Sequence, residues 1–120
     1  MKKFDLEERL IDFSVQIIKT SEKLPQSFAV NHLSKQIIRS STSAALNYGE
    51  AQSGESRKDF IHKMQIALKE LRETSVGLRI LSRSGHNVND SLDQAIVEVN
   101  ELISIFVKSI STAKSKAQLV

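Results

Sequence analysis

Apolar residues recur at steps of three and four along four long stretches of the chain, which is the spacing of one face of an α-helix. The clearest stretch presents a row of apolar and small residues: Val30, Leu33, Ile37, Ser41, Ala44, Tyr48 and Ala51. Polar residues repeat at the same steps along the flank of this row: Gln36, Arg39, Ser43, Asn47 and Glu50. An ordinary surface helix scatters its polar residues, so this pattern predicts a helix with a specific polar flank.

The other three stretches predict helices of similar length with recognisable ends. Asp5 and Glu8 form a candidate capping box at the start of the first helix, which ends before Pro25. Ser56 is placed to cap the third helix, and Gly85 suits the residue after its last turn. The predicted helices cover about 5–23, 28–52, 56–84 and 90–112, and residues 113–120 are expected to fray.

Four amphipathic helices with short connections predict an all-α fold, an antiparallel up-down-up-down four-helix bundle in a single domain spanning residues 1–120. The alternating steps of three and four predict a left-handed crossing of the helices. Pairing the helices symmetrically about their turns predicts one central layer: Phe13, Ile37, Leu71 and Ile103. The predicted core stripe of the fourth helix is Leu92, Ile96, Val99, Ile103, Phe106 and Ile110.

The first helix has two apolar stripes, of which a bundle core needs one. The core stripe is Leu6, Leu10, Phe13 and Ile17. The second stripe lies more than 100° away around the helix and consists of Phe4, Ile11, Val15 and Ile18. Ile66 and Ile80 also lie off the main stripe of the third helix. The first helix is therefore either buried on a wide face or part of a subunit interface of a homo-oligomer.

Composition favours a helical fold and bears on the chemistry and location of the protein. Aromatic residues make up 5% of the chain and there is one proline, which disfavours a sandwich or barrel. The absence of cysteine excludes disulfides and thiolate chemistry. The chain turns acidic directly after Lys3, and no run approaches the ~20 apolar residues of a membrane span. These features predict a soluble cytoplasmic protein without a membrane partner.

The net charge of +3 is unevenly distributed, because the basic third helix lies between acidic neighbours. One side of this helix carries basic residues at heptad-like spacing: Lys58, His62, Lys69, Arg72, Arg79 and Arg83. Such a row suits the neutralisation of RNA or DNA phosphates, and contact would depend on salt. No aromatic residue interleaves with it, so stacking on bases is not indicated. The alternative is a solvated face, or ion pairs with the acidic first and fourth helices.

The polar flank of the second helix predicts a structural network. Pairing the helices sets Arg39 opposite the turn from Lys69 to Glu73, and the pattern does not choose between Glu70 and Glu73 as its partner. A guanidinium close to a core must be paired, because an isolated buried charge is far too costly. The predicted network fixes register within the bundle or between subunits: Arg39, Asn47, Glu50, Glu70 and Glu73.

No catalytic or metal-binding pattern is found in the sequence. The acidic pairs Glu70 with Glu73 and Glu98 with Glu101 lack the Glu-x-x-His motif of di-iron bundles. The three histidines are isolated, and there is neither a Gly-x-Ser-x-Gly elbow nor a glycine-rich phosphate loop. The sequence therefore predicts a protein that is not an enzyme, with no metal, cofactor or small-molecule substrate.

Two motifs resemble the 23S rRNA-intervening sequence protein family of small four-helix bundles. Leu33–Arg39 followed by Ser43, Asn47 and Glu50 is similar to the Gln-x-x-Arg…Ser…Asn-x-x-Glu helix of that family. Lys58–Ile61 followed by Ile66–Thr74 is similar to its third helix. Two positions depart from the pattern, because Ala51 stands where the family often has Gly and Ala45 where it often has Pro.

The resemblance implies a bundle without enzymatic activity that assembles into a ring, typically a homopentamer. Similar bundles accompany the reverse transcriptases of diversity-generating retroelements, where a basic surface contacts nucleic acid. The resemblance also makes Arg39, Asn47, Glu50 and Glu73 signature positions. Two functions are therefore predicted: a homo-oligomer that binds RNA or DNA through its third helix, or a protein-protein adaptor or accessory subunit without nucleic-acid contact.

Overall fold

Four α-helices make up the fold in the computed structural model, which describes residues 5–86 and 90–118. The helices are α1 (Leu6–Lys23), α2 (Phe28–Gln52), α3 (Arg57–Arg83) and α4 (Ser91–Gln118). α1 packs against α2 and α4, and α3 packs against the same two helices. These residues contain no strand, so the all-α prediction is confirmed. The up-down-up-down order and the left-handed crossing stay predictions.

The helix ends follow from local hydrogen bonds that the sequence anticipates. The side chains of Asp5 and Ser56 accept hydrogen bonds from the backbone N–H groups of Glu8 and Asp59, at 3.1 and 3.0 Å. Gly85, with φ of +85°, ends α3 in the left-handed conformation. The N–H of Gly85 then donates to the Ser82 carbonyl, which satisfies a group at the helix end. The predicted bounds of the first three helices agree with the structure to within one residue.

The prediction that residues 113–120 fray is wrong for the part that the structure describes. α4 continues to Gln118, and Ala113 is buried. Ala113 lies one turn beyond Ile110 and two turns beyond Phe106 on the buried side of α4, so the helix packs on the bundle at least as far as Ala113. Phe4, the loop residues 87–89 and residues 119–120 lie outside the described residues.

The core confirms that the predicted core stripe of α1 is buried, and it corrects the stripe of α4. Phe13, Ile37 and Leu71 are at most 1% exposed. They do not form the predicted single layer, because Ile37 lies against Gly77, which is six residues and about 9 Å from Leu71 along α3. Ile103, the predicted fourth member, is half-buried, whereas Leu102 is fully buried. The observed core line of α4 is Leu92, Ala95, Val99, Leu102, Phe106 and Ile110. Ile96 and Ile103, which the prediction placed in the core line, pack on its flank. At both places the observed line passes through the preceding residue.

Tyr48 is partly buried and packs against this core. Its ring meets that of Phe106 edge to face, with centroids 5.8 Å apart and an interplanar angle of 67°. Burial raises the pKa of the Tyr48 phenol, and the negative charges of Asp5 and Glu7 raise this pKa further. The folded protein therefore favours the neutral phenol.

We expect alkaline pH to weaken the fold through Tyr48. Because its folded pKa is raised, its contribution to stability is complete below the unfolded pKa of about 10 and is lost as pH rises through the folded value. Tyr48 is the one tyrosine of the chain and there is no tryptophan, so tyrosinate absorbance reports on this group alone. Equal titration midpoints in buffer and in denaturant would contradict the prediction.

None of the described helices combines the length and the apolar character needed to cross a membrane.

Candidate nucleic-acid interface

The six basic residues predicted to contact phosphates lie along α3 and are all exposed to solvent. This set, the basic row, consists of Lys58, His62, Lys69, Arg72, Arg79 and Arg83. α3 is continuous over 27 residues, so the row is held straight. At the rise of an α-helix, Lys58 and Arg83 are separated by about 38 Å. The row is therefore long enough to follow about one turn of a nucleic-acid duplex.

The basic row is not neutralised by the acidic helices. Among the described residues, the salt bridges to Asp or Glu are made by Arg9, Arg39 and Lys63, none of which belongs to the row. Within the row, Arg79 donates through Nε to the backbone carbonyl of Ser75 at 3.3 Å, which holds it along its own helix. The structure thus agrees with a solvated basic face and not with ion pairs to α1 and α4.

The acidic residues of α4 are instead bound by Arg9 of α1. The Nε and Nη2 atoms of Arg9 donate to the two carboxylate oxygens of Glu98 at 2.8 and 2.9 Å, and Nη2 also reaches Glu101 at 3.3 Å. The hydrogen bond to Glu98 raises the pKa of the Arg9 guanidinium. Sequence reasoning missed Arg9. The available signal was the spacing of Glu98 and Glu101, which places two carboxylates on one flank of α4.

Arg39 of α2 binds both candidate partners on α3. Its Nη1 donates to Glu70 at 2.9 Å and its Nη2 to Glu73 at 2.6 Å. The Glu70 side chain is 10% exposed, whereas the Arg39 side chain is 59% exposed, so the cation reaches a buried carboxylate from the surface. The hydrogen bond to Glu70 raises the pKa of Arg39. Ser40 and Thr74 extend the contact inward through a buried hydroxyl pair at 2.6 Å.

The structure leaves Asn47 and Glu50 apart from this cluster. The Asn47 amide donates to the backbone carbonyl of Ser43, within its own helix, at 2.9 Å. Glu50 accepts from Lys63 of α3 at 3.4 Å, near the surface. The five residues of the predicted polar network therefore lie in three separate groups, of which the Arg39 cluster joins Glu70 and Glu73. Their register-fixing role stays a prediction.

We expect Arg39→Ala to lower the free energy of unfolding by about 1 kcal/mol, because it leaves the carboxylate of Glu70 without its cation. This loss is small because solvent screens the exposed guanidinium. Glu50→Ala is the matched control, since its pair with Lys63 is longer and its carboxylate is more exposed than that of Glu70. Urea denaturation of both variants measures the difference. Equal losses would mean that burial of Glu70 adds nothing to the pair.

A groove of about 720 Å³ lies beside the Arg39 cluster. Polar side chains including Gln36, Arg39 and Arg72 line it together with the apolar side chains of Val76 and Ile80. Val76 and Ile80 are 48% and 45% exposed, which is high for large apolar residues on a helix that also forms the core. This surface therefore has an apolar centre with charge around it.

The second stripe of the first helix lies on the outside of the molecule. Ile11, Val15 and Ile18 are 43%, 42% and 36% exposed, so α1 is not buried on a wide face within one copy. Among the other residues predicted at an interface, Ile80 is exposed and Ile66 is half-buried. The predicted position Phe4 lies outside the described residues.

In the described part of the chain, no three His, Asp or Glu side chains lie close enough together to hold a metal ion. The acidic pairs that the sequence brought into question are instead bound by Arg9 and Arg39.

The fold and this surface define a small all-α protein with an exposed basic helix. A sequence profile described as 23S rRNA-intervening sequence protein matches residues 2–108, and the chain belongs to this family. The resemblance inferred from the two motifs is thereby confirmed. The chain is also similar to a solved structure, described as a protein with unknown function from the S23 ribosomal protein family of Bacteroides thetaiotaomicron VPI-5482. The two share 32% identity with a TM-score of 0.76, over 88% of this chain and 98% of that one.

No curated protein matches the chain. Neither the family description nor that of the solved structure indicates a catalytic activity.

Proposed function

We propose that this protein is a non-catalytic, homo-oligomeric four-helix bundle that binds the phosphate backbone of RNA or DNA through the basic row of α3. The observation that carries the proposal is the state of that row. Its six members are exposed, and in the described part of the chain none is paired with a carboxylate. Their charges are therefore available to an external anion.

Phosphate contact by such a row is electrostatic and independent of sequence. Each phosphate that a basic side chain neutralises releases counterions, so the logarithm of the binding constant falls linearly with the logarithm of salt concentration. Six contacts give a slope of about −5 on duplex DNA, which is the upper bound for one copy. The row contains no Phe, Tyr or Trp side chain on which a base could stack, so the backbone is the expected ligand.

Self-association is proposed on the exposed apolar residues of α1 and α3, since such patches mark contact sites. Assembly would also present several basic rows to one nucleic acid, which raises the overall affinity without any new contact in each copy. The number of subunits implied by the family resemblance is five.

We expect the substitutions Lys58→Ala and Lys69→Ala together to make the slope of log binding constant against log salt concentration less negative by about two, one for each lost phosphate contact. Both lysines are exposed, and neither has an ion pair among the described residues, so the fold is expected to be unaffected. Binding of a labelled duplex RNA and a labelled duplex DNA is measured by fluorescence anisotropy across a salt series. The paired variant Lys35→Ala and Lys108→Ala removes the same charge from exposed positions of α2 and α4.

Three outcomes would overturn the phosphate-binding proposal. One is the absence of binding at low salt, the second is binding that ignores ionic strength, and the third is an equal effect of the control pair. The exposed apolar residues of α1 favour a second candidate function, a protein-protein adaptor without nucleic-acid contact. An assembled protein that binds neither duplex at low salt would favour that candidate.

A further inference from the structure

The outer face of α1 carries an apolar stripe with an acidic residue at each end. This acid-ended stripe consists of Glu8, Ile11, Val15, Ile18 and Glu22, at alternating steps of three and four. All five residues are exposed. At the rise of a helix they extend over about 21 Å.

The outer face of α3 carries a stripe of the opposite kind. This base-ended stripe consists of Arg72, Val76, Ile80 and Arg83. All four residues are exposed, and the stripe extends over about 17 Å. Arg72, Val76 and Ile80 also line the groove beside the Arg39 cluster, so the apolar centre of the stripe is accessible from outside.

The two stripes do not meet within one copy. α1 packs against α2 and α4, and no packing of α1 on α3 is found in the described residues. The charges at the ends of the stripes are also unused, because no described carboxylate or cation pairs with Glu8, Glu22, Arg72 or Arg83. Each stripe thus lacks a partner in its own copy and has the charge pattern that the other would need.

We propose that the acid-ended stripe of one copy packs against the base-ended stripe of the next copy. The inference rests on the self-association in the proposed function and specifies which surfaces meet. The apolar centres lose water on contact, and the charges at the ends select the partner and suppress pairing of like stripes. Because two different surfaces meet, the contact is heterologous and generates a ring or an open chain of copies.

This contact divides the basic row between two tasks. Arg72 and Arg83 lie against the carboxylates of the neighbouring copy, which leaves Lys58, His62, Lys69 and Arg79 for phosphates. The upper bound on nucleic-acid contacts per copy then falls from six to four, a slope of about −4 on duplex DNA.

Charge reversal in each stripe tests the contact. The variant Glu8→Lys/Glu22→Lys and the variant Arg72→Glu/Arg83→Glu each place like charges opposite one another. We expect both to lose the assembled mass that the unaltered chain shows in light scattering at the same concentration. The chain with all four substitutions restores opposite charges at both ends of the contact, so we expect it to recover the assembled mass. Lys35→Glu/Lys108→Glu is the control for reversal of two exposed cations elsewhere.

Circular dichroism verifies that each variant keeps its helices, so that a lost mass reports on association. An unaltered chain that is a monomer would overturn the proposed self-association and this inference together. An assembled unaltered chain whose mass survives either reversal would overturn the inference alone. So would a four-substitution chain that stays dissociated.

Discussion

Leu102→Ala is expected to lower the free energy of unfolding by about 2–5 kcal/mol, because Leu102 is fully buried in the core and truncation leaves a cavity there. The core around it is close-packed, so neighbouring side chains can only partly fill the space. Urea denaturation followed by circular dichroism measures the loss. The slope of the transition should stay unchanged if the native fold is kept.

Ile103→Ala is the matched control, because it removes an aliphatic side chain of the same size from the next position of the same helix. Ile103 is half-buried, so solvent and neighbouring side chains can reach the space it leaves, and we expect about half the loss or less. A larger loss for Ile103→Ala than for Leu102→Ala would contradict the observed core line. It would instead support the register predicted from the sequence.

The register of α4 was the part of the core that periodicity could not determine. Leu102 and Ile103 are both large and apolar, and either continues a line through Leu92, Val99 and Phe106. The predicted stripe followed alternating steps of four and three from Leu92 and so passed over Ala95. In the fold Ala95 is fully buried, and α4 packs against both α1 and α3. Tertiary packing therefore decided between two lines that are equally good on a helical wheel.

The helix bounds were better predicted because capping depends on neighbours in sequence. Asp5, Ser56 and Gly85 act through hydrogen bonds within one turn of the helix end, which a sequence displays directly. The end of α4 has no such signal. Ala113 is buried in the bundle, and a contact of that kind is not visible in local sequence.

The polar contacts were also predicted only in part. The wheel placed Arg39 opposite Glu70 and Glu73 but could not see that one guanidinium reaches both. Arg9 was missed because its partners lie 89 and 92 residues further along the chain. The basic row was identified from spacing alone. That it has no ion pair among the described residues could be seen only from the structure, in which Arg9 binds the carboxylates of α4.

Gly77→Ala is expected to destabilise the protein, although alanine is normally better than glycine in a helix by about 1 kcal/mol. Gly77 lies in the middle of α3, and a Cβ atom there would collide with the Cγ2 methyl of Ile37 on α2. Overpacking of a filled core costs about 1–3 kcal/mol, which exceeds the gain in helix propensity. The free energy of unfolding from urea denaturation gives the sign of the net effect.

Gly49→Ala provides the opposite case in α2. A Cβ atom there would lie 3.5 Å from a carboxylate oxygen of Glu7, an ordinary contact, so we expect a gain of up to about 1 kcal/mol.

Ile37→Leu moves the branch of the side chain away from Cβ and removes the methyl group that Gly77→Ala would meet. The double variant Gly77→Ala/Ile37→Leu should therefore be more stable than the sum of the two single effects predicts.

A strictly additive pair would mean that Ile37 is not what excludes a side chain at position 77. The coupling also bears on the surface, because Gly77 lines the groove that contains Val76 and Arg72 and lies one turn from Thr74, which bonds to Ser40. We expect the close approach of α2 and α3 at Gly77 to position the Arg39 cluster. Gly77→Ala would then already strain the ion pair between Arg39 and Glu70. Adding Arg39→Ala to Gly77→Ala should therefore cost less free energy of unfolding than Arg39→Ala does alone. Full additivity of these two substitutions would instead separate the packing contact from the polar one.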